Sequence, residues 1–330
     1  MRRPVRLPES VCPRLLLSAV HIGSGVSSLL ERNSHHGFTL RAEQQFAAAN
    51  AGLAPPFANS WPAVSRSQLM TALLILASVN GLAPRAIESV AVHGWDYAVF
   101  NTFNVSVIVW GAWASACYLA VLANDANRIR SRDIALACIV LAIVALPVSN
   151  LSWLSLCLLS ASVFWTSPKG SLQQRSAAIF FAICAPMLWG PELLALAAPP
   201  LLKIDAFLVG TLMGTKQSGN LVTFLDGVHS MQIWPGCSSF HNISQAALAW
   251  VALSQTLGRN LGLRDVLWGG LAMTSAAAVN LGRLSLMAVS PEYFATVHGP
   301  LGEQIAGALT IVLIAVICIV GQRRELFTRA

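Results

Sequence analysis

Three side chains in the last third of the sequence have the chemistry of a thiol acyl-transfer site: Cys237, Arg283 and His298. A thiolate attacks a carbonyl carbon, an imidazole carries the proton, and a guanidinium stabilises the charge that develops on the carbonyl oxygen. Each of the three lies at the edge of an apolar block rather than in its middle, where a side chain can meet water.

Cys237 differs in setting from most of the other six cysteines. It follows a Trp-Pro-Gly turn at the start of an apolar block, whereas five of the others lie within apolar runs, where cysteine usually acts as a small hydrophobic residue. The seven cysteines show no paired spacing, so we expect no disulfide framework. A helix amino terminus and a nearby cation both lower the pKa of a thiol, and we expect both at Cys237. The alternative is a buried structural cysteine.

Arg283 lies one to two turns inside the end of an apolar block. A charge in that position is costly, and it predicts a functional group, here a donor to an oxyanion or to substrate. The alternative is a side chain that reaches back to the lipid headgroups. Asn280 lies about one helical turn earlier on the same face and would add a second polar group.

Two histidines compete for the role of general acid and base. Histidine exchanges protons near neutral pH and can protonate a leaving amine. His241 follows Cys237 by four positions, so helical spacing alone favours His241. His298 precedes the last apolar block, and a lone histidine in a loop is more often a surface residue.

The elements that must position these residues are membrane-spanning helices. The 330-residue chain is 55% hydrophobic and 11% charged, where soluble domains average about 25% charged residues. Its net charge of +7 could indicate a nucleic-acid partner, but the basic residues stand between apolar blocks, as orientation signals do. The sequence contains no zinc-finger pattern, phosphate loop, metal-ligand cluster or serine-hydrolase motif, and we expect neither a nucleic-acid partner nor a cofactor.

The apolar blocks predict an all-α polytopic membrane protein with eight crossings. The crossings are predicted at about 67–84, 98–123, 133–148, 150–166, 176–190, 239–257, 265–288 and 303–321. A ninth run, 192–212, contains Pro199-Pro200, Lys203 and Asp205. Because prolines break helices and buried charges are costly, this run is predicted to lie along the membrane surface or to re-enter the membrane without crossing.

The basic residues orient these crossings. The amino terminus carries seven Arg and is placed inside. With eight spans, the cytoplasmic loops and the carboxy-terminal tail then carry ten more basic residues: Arg128, Arg130, Arg132, Lys169, Arg175, Arg259, Arg264, Arg323, Arg324 and Arg329. Three fall outside: Arg85, Lys203 and Lys216. This asymmetry predicts a multi-pass inner-membrane protein with both termini in the cytoplasm. Cys237, Arg283 and His298 then all lie at the outer, extracytoplasmic face.

Two segments fall outside the spans. Residues 1–66 are mixed, polar and rich in Pro, Gly and Asn, and predict a poorly ordered cytoplasmic extension ahead of a transmembrane domain at 67–330. Residues 221–224 and 231–234 alternate in polarity and flank Asp226-Gly227. Asp-Gly between such stretches indicates a hairpin, so we expect a small extended cap over the outer site.

Four short motifs, in this order and spacing, resemble those of the exosortase/archaeosortase family of membrane transpeptidases. They are Gly219-Asn220, Cys237-Ser238, Asn280-Leu281-Gly282-Arg283, and His298 with Gly302. The resemblance covers about residues 67–321, with the specific motifs confined to the part after about residue 215. The family usually has glycine after Cys-Ser, and Ser239 stands there in this chain, which indicates a divergent branch.

The resemblance implies a cysteine peptidase or transpeptidase. Family members recognise a carboxy-terminal sorting signal on exported proteins, formed by a short motif, a transmembrane helix and a basic tail. They cleave near the motif and transfer the acyl group to an acceptor. The family pattern selects Cys237, Arg283 and His298 as catalytic. His241, Ser238 and Asn280 then become candidate substrate-binding residues.

A different class of protein fits some of the same features. A transporter or assembly scaffold in contact with membrane lipids could use Arg283 to bind an anionic ligand, with no role for Cys237. That hypothesis predicts that Cys237→Ser keeps function and Arg283→Ala loses it, whereas an enzyme loses function with either change.

Overall fold

The computed structural model describes residues 64–123, 127–146, 148–259 and 262–326. The predicted extension, 1–66, therefore lies outside the described residues except at its carboxyl end. There, Arg66 already belongs to the first helix.

The described chain is mostly helical. Its helices are α1 (Arg66–His93), α2 (Trp95–Phe100), α3 (Val107–Leu122), α4 (Ser131–Val144), α5 (Ser149–Thr166), α6 (Leu172–Cys184), α7 (Gly190–Met213), α8 (Ser239–Thr256), α9 (Leu263–Met287), α10 (Pro291–His298) and α11 (Pro300–Leu326). A π-helical segment, Ala185–Trp189, joins α6 to α7. Three short strands, β1 (Gln217–Ser218), β2 (Leu221–Thr223) and β3 (Ser230–Gln232), lie between α7 and α8.

Each apolar block of the sequence forms a helix, and one block begins later than its hydrophobicity predicts. The first three residues of the block at 98–123 end α2, and α3 starts only at Val107, where Ser106 caps the helix with its Oγ accepting from the Ile108 N–H at 3.2 Å. Thr102, Phe103 and Asn104 precede the cap with positive φ angles, a conformation that ends α2 and turns the chain.

Three stretches in the described part of the chain are long and apolar enough to cross a membrane: Arg66–His93, Leu172–Met213 and Leu301–Gly321. The apolar helix α3, with 16 residues, is shorter and would span about 24 Å of a hydrocarbon core of about 30 Å. The long apolar helices indicate a membrane protein.

The largest core lies where α1, α3, α5 and α6 pack together, and α8 adds Leu248 and Ala252 to it. Glycine allows close contacts between these helices. A Cβ at Gly81 of α1 would lie 2.7 Å from the Trp153 ring of α5. Gly269 of α9 makes a similar contact, since a Cβ there would lie 2.9 Å from the Trp250 ring of α8.

A buried ion pair joins three helices at one end of this bundle. Arg66 donates from Nε to Asp133 Oδ1 at 3.0 Å and from Nη2 to Thr166 Oγ1 at 2.7 Å. Asp133 also accepts from the Arg130 N–H through Oδ2, at 2.9 Å, and so begins α4. Arg66 therefore ties α1 to α4 and α5.

The run at 192–212 is helical in the structure. It forms most of α7, and its double proline bends the helix rather than ending it, with the break at Ala197 (φ −126°, ψ 21°). Leu202, Ala206 and Val209 of α7 are buried in a second core, which they share with the β strands and the end of α9. The residues after the bend thus pack on the strands that precede Cys237.

The extended cap predicted before Cys237 is confirmed as a three-stranded antiparallel sheet, in the order β1-β2-β3. Val222 of β2 pairs with Met231 of β3, and the turn between them contains Gly227 at φ 73°. Asp226 Oδ1 accepts from the N–H groups of Val228 and His229, at 2.9 and 3.0 Å. The Asp-Gly signal therefore identified the turn.

Candidate active site

Cys237 lies just ahead of α8 rather than at its first residue. It ends a single 3-10 turn, Pro235–Cys237, in which its N–H donates to the Trp234 carbonyl at 2.9 Å. Ser238 is the amino-terminal cap of α8, and its Oγ accepts from the Phe240 N–H at 3.2 Å. The thiol is half-buried at the rim where the sheet, α9 and α10 meet.

Asp205 fixes this helix start from the side. The carboxylate, on α7, is only 4% exposed, and its Oδ2 accepts from Ser238 Oγ at 3.1 Å and from the Ser239 N–H at 3.0 Å. An acid near a helix amino terminus complements both the free N–H groups and the helix dipole. Asp205 therefore holds the backbone that carries Cys237.

Asn280 holds the same backbone from α9. Its Nδ2 donates to the Cys237 carbonyl at 2.8 Å and to Ser239 Oγ at 3.2 Å, and the residue is 3% exposed. Ser238 is also buried. Asn280 and Ser238 were predicted to bind substrate, but both are enclosed and occupied by these bonds. In the structure, these bonds connect both side chains to the backbone around Cys237.

His298 lies beside the thiol. Its Nδ1 is 4.0 Å from Cys237 Sγ, at the outer limit of a hydrogen bond to sulfur. The imidazole stacks on the Phe294 ring of α10 (centroids 5.1 Å apart, planes at 12°), and Phe294 meets Phe224 of the cap edge-on at 6.4 Å. The cap thus supports His298 through Phe294.

Arg283 reaches the same cluster from α9. Its Nε donates to the Val297 carbonyl at 3.4 Å, next to His298. Gly302 packs against that peptide group from α11, so closely that a Cβ on Gly302 would collide with the Val297 carbonyl. The glycine of the predicted His-x-x-x-Gly pattern therefore provides space for the turn that carries His298.

The electrostatics at Cys237 differ from the prediction. Burial raises the pKa of the thiol above its usual range; Arg283 acts to lower it, and the Glu303 carboxylate acts to raise it. The cap residue of α8 is Ser238 rather than Cys237, so the thiol is not within the first helical turn. A raised pKa favours the neutral form of the thiol, so this cysteine would need a nearby base to act as a nucleophile.

Of the two competing histidines, the structure brings His298 to the thiol. Among the hydrogen bonds of the described residues, Cys237 Sγ pairs with His298 and not with His241. His241 lies exposed on the first turn of α8, with Arg85 and Glu303 as charged neighbours. That position leaves His241 open to a bound molecule.

Two site residues were not identified from the sequence as members of the site. Asp205 was interpreted only as a charge that interrupts an apolar run, although an acid in such a run needs a partner and so signals one. Glu303, in the first turn of α11, influences the thiol electrostatically and belongs to none of the sequence motifs. The Gly-Asn motif has a structural role, since Asn220 exchanges two hydrogen bonds with Ile233, each 2.9 Å, beyond the ends of β2 and β3.

The site joins a thiol, an imidazole and a guanidinium within one rim, and such a set can attack a carbonyl, move the proton and stabilise an oxyanion. No metal-binding group of three or more His, Cys, Asp or Glu side chains occurs among the described residues. No protein-family model, curated protein or solved structure matches this chain.

Proposed function

We propose that this protein is a membrane-embedded cysteine peptidase or transpeptidase of the exosortase/archaeosortase type. The contact that carries the proposal is the 4.0 Å approach of His298 Nδ1 to Cys237 Sγ, made by residues 61 positions apart. Arg283 joins them through Val297. Catalytic hydrogen bonds are often long without substrate and shorten when it binds.

The proposed reaction has two steps. His298 takes the thiol proton as Cys237 attacks the scissile carbonyl, and Arg283 donates to the oxyanion of the tetrahedral intermediate. His298 then gives the proton to the departing amine, which leaves a thioester on Cys237. An amine acceptor or water attacks the thioester and regenerates the thiol.

The proposed topology has eight crossings, with both termini in the cytoplasm and the site at the outer face of the inner membrane. The basic residues between the spans support this orientation. In this arrangement α7 runs along the outer surface or re-enters the membrane. Its bend at Ala197 and its packing against the cap support that placement, because the cap precedes Cys237.

The proposed substrates are exported proteins whose carboxyl end has a short motif, a transmembrane helix and a basic tail. A membrane-anchored substrate fits a site that opens at the end of a helical bundle, since its own helix can lie against the bundle in the lipid. His241, exposed beside the site, is the proposed substrate contact.

The test is the intact mass of a co-expressed candidate substrate from the same genome. We expect wild type to remove the carboxy-terminal anchor and Cys237→Ala to leave it in place. Cys138→Ala is the matched control, since that thiol is exposed on α4, which carries no residue of the site. The mass of the new terminus separates hydrolysis from transfer.

Cleavage that persists in Cys237→Ala would contradict the thiol mechanism. A Cys237→Ala variant that keeps its function in cells, together with an Arg283→Ala variant that loses it, would instead support the anion-binding transporter or scaffold.

A further inference from the structure

A basic pocket and an apolar groove meet at the end of α8 opposite Cys237. The helix has 18 residues, so the two ends are about 27 Å apart. The pocket and the groove share two lining residues, Phe164 and Trp165, and so form one continuous surface.

The pocket encloses about 500 Å³ between the loop that joins α5 to α6 and the end of α8. Of the described residues that line it, three are cationic, Lys169, Arg175 and Arg259, and none is acidic. Arg259 forms an ion pair with Asp265 at 2.8 Å. Lys169 is exposed, and the pocket retains a net positive charge.

Arg175 is held in place by the helix end. Its Nε donates to the Gln255 carbonyl at 2.6 Å and its Nη2 to the Thr256 carbonyl at 2.9 Å. These are carbonyls of the last turn of α8, which have no partner within the helix. The guanidinium is thus a fixed cation at the pocket wall.

Ser167 contributes a buried hydroxyl to the pocket wall. The residue is 7% exposed and lines the pocket, and within the described part of the chain its Oγ has no hydrogen-bond partner. A buried hydroxyl normally has a partner, and an anionic oxygen in the pocket would supply one.

The groove is apolar throughout. It encloses about 280 Å³ along one face of α6, and its remaining lining residues are Ala161, Ala178, Phe181, Ala182 and Val251. Its residues on α6 run from Ala178 to Ala182, which is about 6 Å of helix, and the pocket continues along α6 to Arg175. Trp165 lies at the junction with the pocket and is 77% exposed. Tryptophan is enriched where membranes meet water.

We propose that this composite surface binds an anionic phospholipid, with the phosphate in the basic pocket and an acyl chain in the groove. A free anion would use only the pocket, and an uncharged lipid only the groove. In the proposed topology the pocket faces the cytoplasmic leaflet, where basic side chains attract anionic lipids. The site is remote from Cys237 and does not depend on the proposed reaction.

The test is titration of the purified full-length protein in detergent with phosphatidylglycerol or phosphatidylcholine, followed by native mass spectrometry. We expect tighter binding of phosphatidylglycerol, and a loss of about fivefold in its affinity for Lys169→Gln. Lys216→Gln, the same change at an exposed lysine far along the chain, should bind as wild type does. Arg175 is left unchanged because it also caps α8.

Two further variants test the groove. Ala182→Phe fills the groove with a larger side chain. Trp165→Ala removes a side chain at the junction, and because that side chain is exposed, the variant is expected to fold. Both should weaken phosphatidylglycerol binding, whereas Ala114→Phe, on the exposed face of α3, should not. Equal binding of the two lipids would overturn the proposal. Competition by inorganic phosphate together with full lipid binding by both groove variants would identify a simple anion pocket instead.

Discussion

The thiol of Cys237 is half-buried against the second core and is influenced by two opposite charges. Burial is the largest influence on its pKa and raises it, Arg283 acts to lower it, and Glu303 acts to raise it. A neutral thiol is a poor nucleophile, so the proposed mechanism needs a base, and His298, with its Nδ1 4.0 Å from the sulfur, is positioned to be that base. The Phe294 stack keeps the imidazole at that contact.

Charge-removing variants should move the reactivity of Cys237 in opposite directions. Arg283→Gln removes the cation that lowers the thiol pKa, so the pKa should rise and alkylation at pH 8 should slow. Glu303→Gln removes the anion that raises it, so the pKa should fall and alkylation should accelerate. Each unit of change in pKa alters the thiolate fraction about tenfold.

The measurement is the rate of Cys237 alkylation by iodoacetamide from pH 6 to 10, with the labelled residue identified by peptide mass. Wild type should reach half its maximal rate above the pH typical of a free thiol. If the alkylation rate depended on pH in the same way in Arg283→Gln and Glu303→Gln, the opposite effects of these two charges on the thiol pKa would be refuted.

For individual residues, the sequence predicted which side chains form the candidate site, but not which contacts keep them in position. Cys237, Arg283 and His298 could be predicted because their chemistry and motif order are visible in the chain. Asp205 could not be paired with Ser238 from the sequence, because that contact depends on the course of α7 after its bend at Ala197.

Two elements, α8 and α11, begin at the site, and both starts are stabilised by specific contacts. The α8 start is held by Ser238, Asp205 and Asn280. The α11 start depends on Gly302, which lies against the Val297 carbonyl. Substitutions at these contacts should disturb the site without removing any reacting group.

Asp205→Ala should destabilise the protein by about 1–3 kcal/mol, because it leaves the Ser238 hydroxyl and the Ser239 N–H buried without their acceptor. Asp205→Asn retains one acceptor oxygen and should cost less. Thermal unfolding in detergent measures both variants against Lys203→Ala, an exposed change on the same helix. Equal melting temperatures for Asp205→Ala and Lys203→Ala would show that these bonds contribute nothing.

Gly302→Ala should displace the turn between α10 and α11, at a cost of about 1–3 kcal/mol, and lower cleavage by moving His298 away from the thiol. Gly307→Ala, one and a half turns further along α11, meets no atom within 4 Å and should be neutral or slightly stabilising. The comparison uses thermal unfolding and the substrate mass assay. Normal cleavage by Gly302→Ala would contradict the positioning role of this glycine.

Hydrophobicity predicted the positions of the helices well, but it predicted their first and last residues less well. The hairpin at Asp226-Gly227 was predicted from the turn residues together with the alternating stretches that flank them. The start of α3 was misplaced because Ser106 and three residues at positive φ interrupt a run that is apolar on both sides. Hydropathy does not register such a turn, since its cause is local backbone geometry and a capping hydroxyl.

The whole molecule has a catalytic candidate at one end of α8 and a basic pocket at the other. The cap lies beside the first, and Lys169, Arg175 and Arg259 lie at the second. The basic pocket lies at the end of the molecule where the loops are rich in basic residues. That charge asymmetry could be predicted from the sequence, because it depends only on which residues stand in each loop. The position of the groove beside the pocket could not be predicted, because it depends on the packing of helices that are distant in the sequence.

The proposed orientation predicts which loops a membrane-impermeant maleimide can reach. On a Cys237→Ala background, Val228→Cys in the exposed cap turn should react in right-side-out vesicles. Lys169→Cys, in the loop between α5 and α6, should react only in inside-out vesicles. The reverse pattern, or labelling of both positions from one side, would contradict the proposed orientation.

The site draws on residues from Asp205 to Glu303, and this span sets an order of events during synthesis. Its thiol, carboxylates, guanidinium and imidazole are made over almost a hundred residues of translation, about 5–20 s at ordinary rates of elongation. His298 is made 61 residues after Cys237, and Gly302, on which its turn packs, follows four residues later. In the proposed mechanism, the thiol of a newly made chain therefore has no base beside it until the start of α11 has been synthesised.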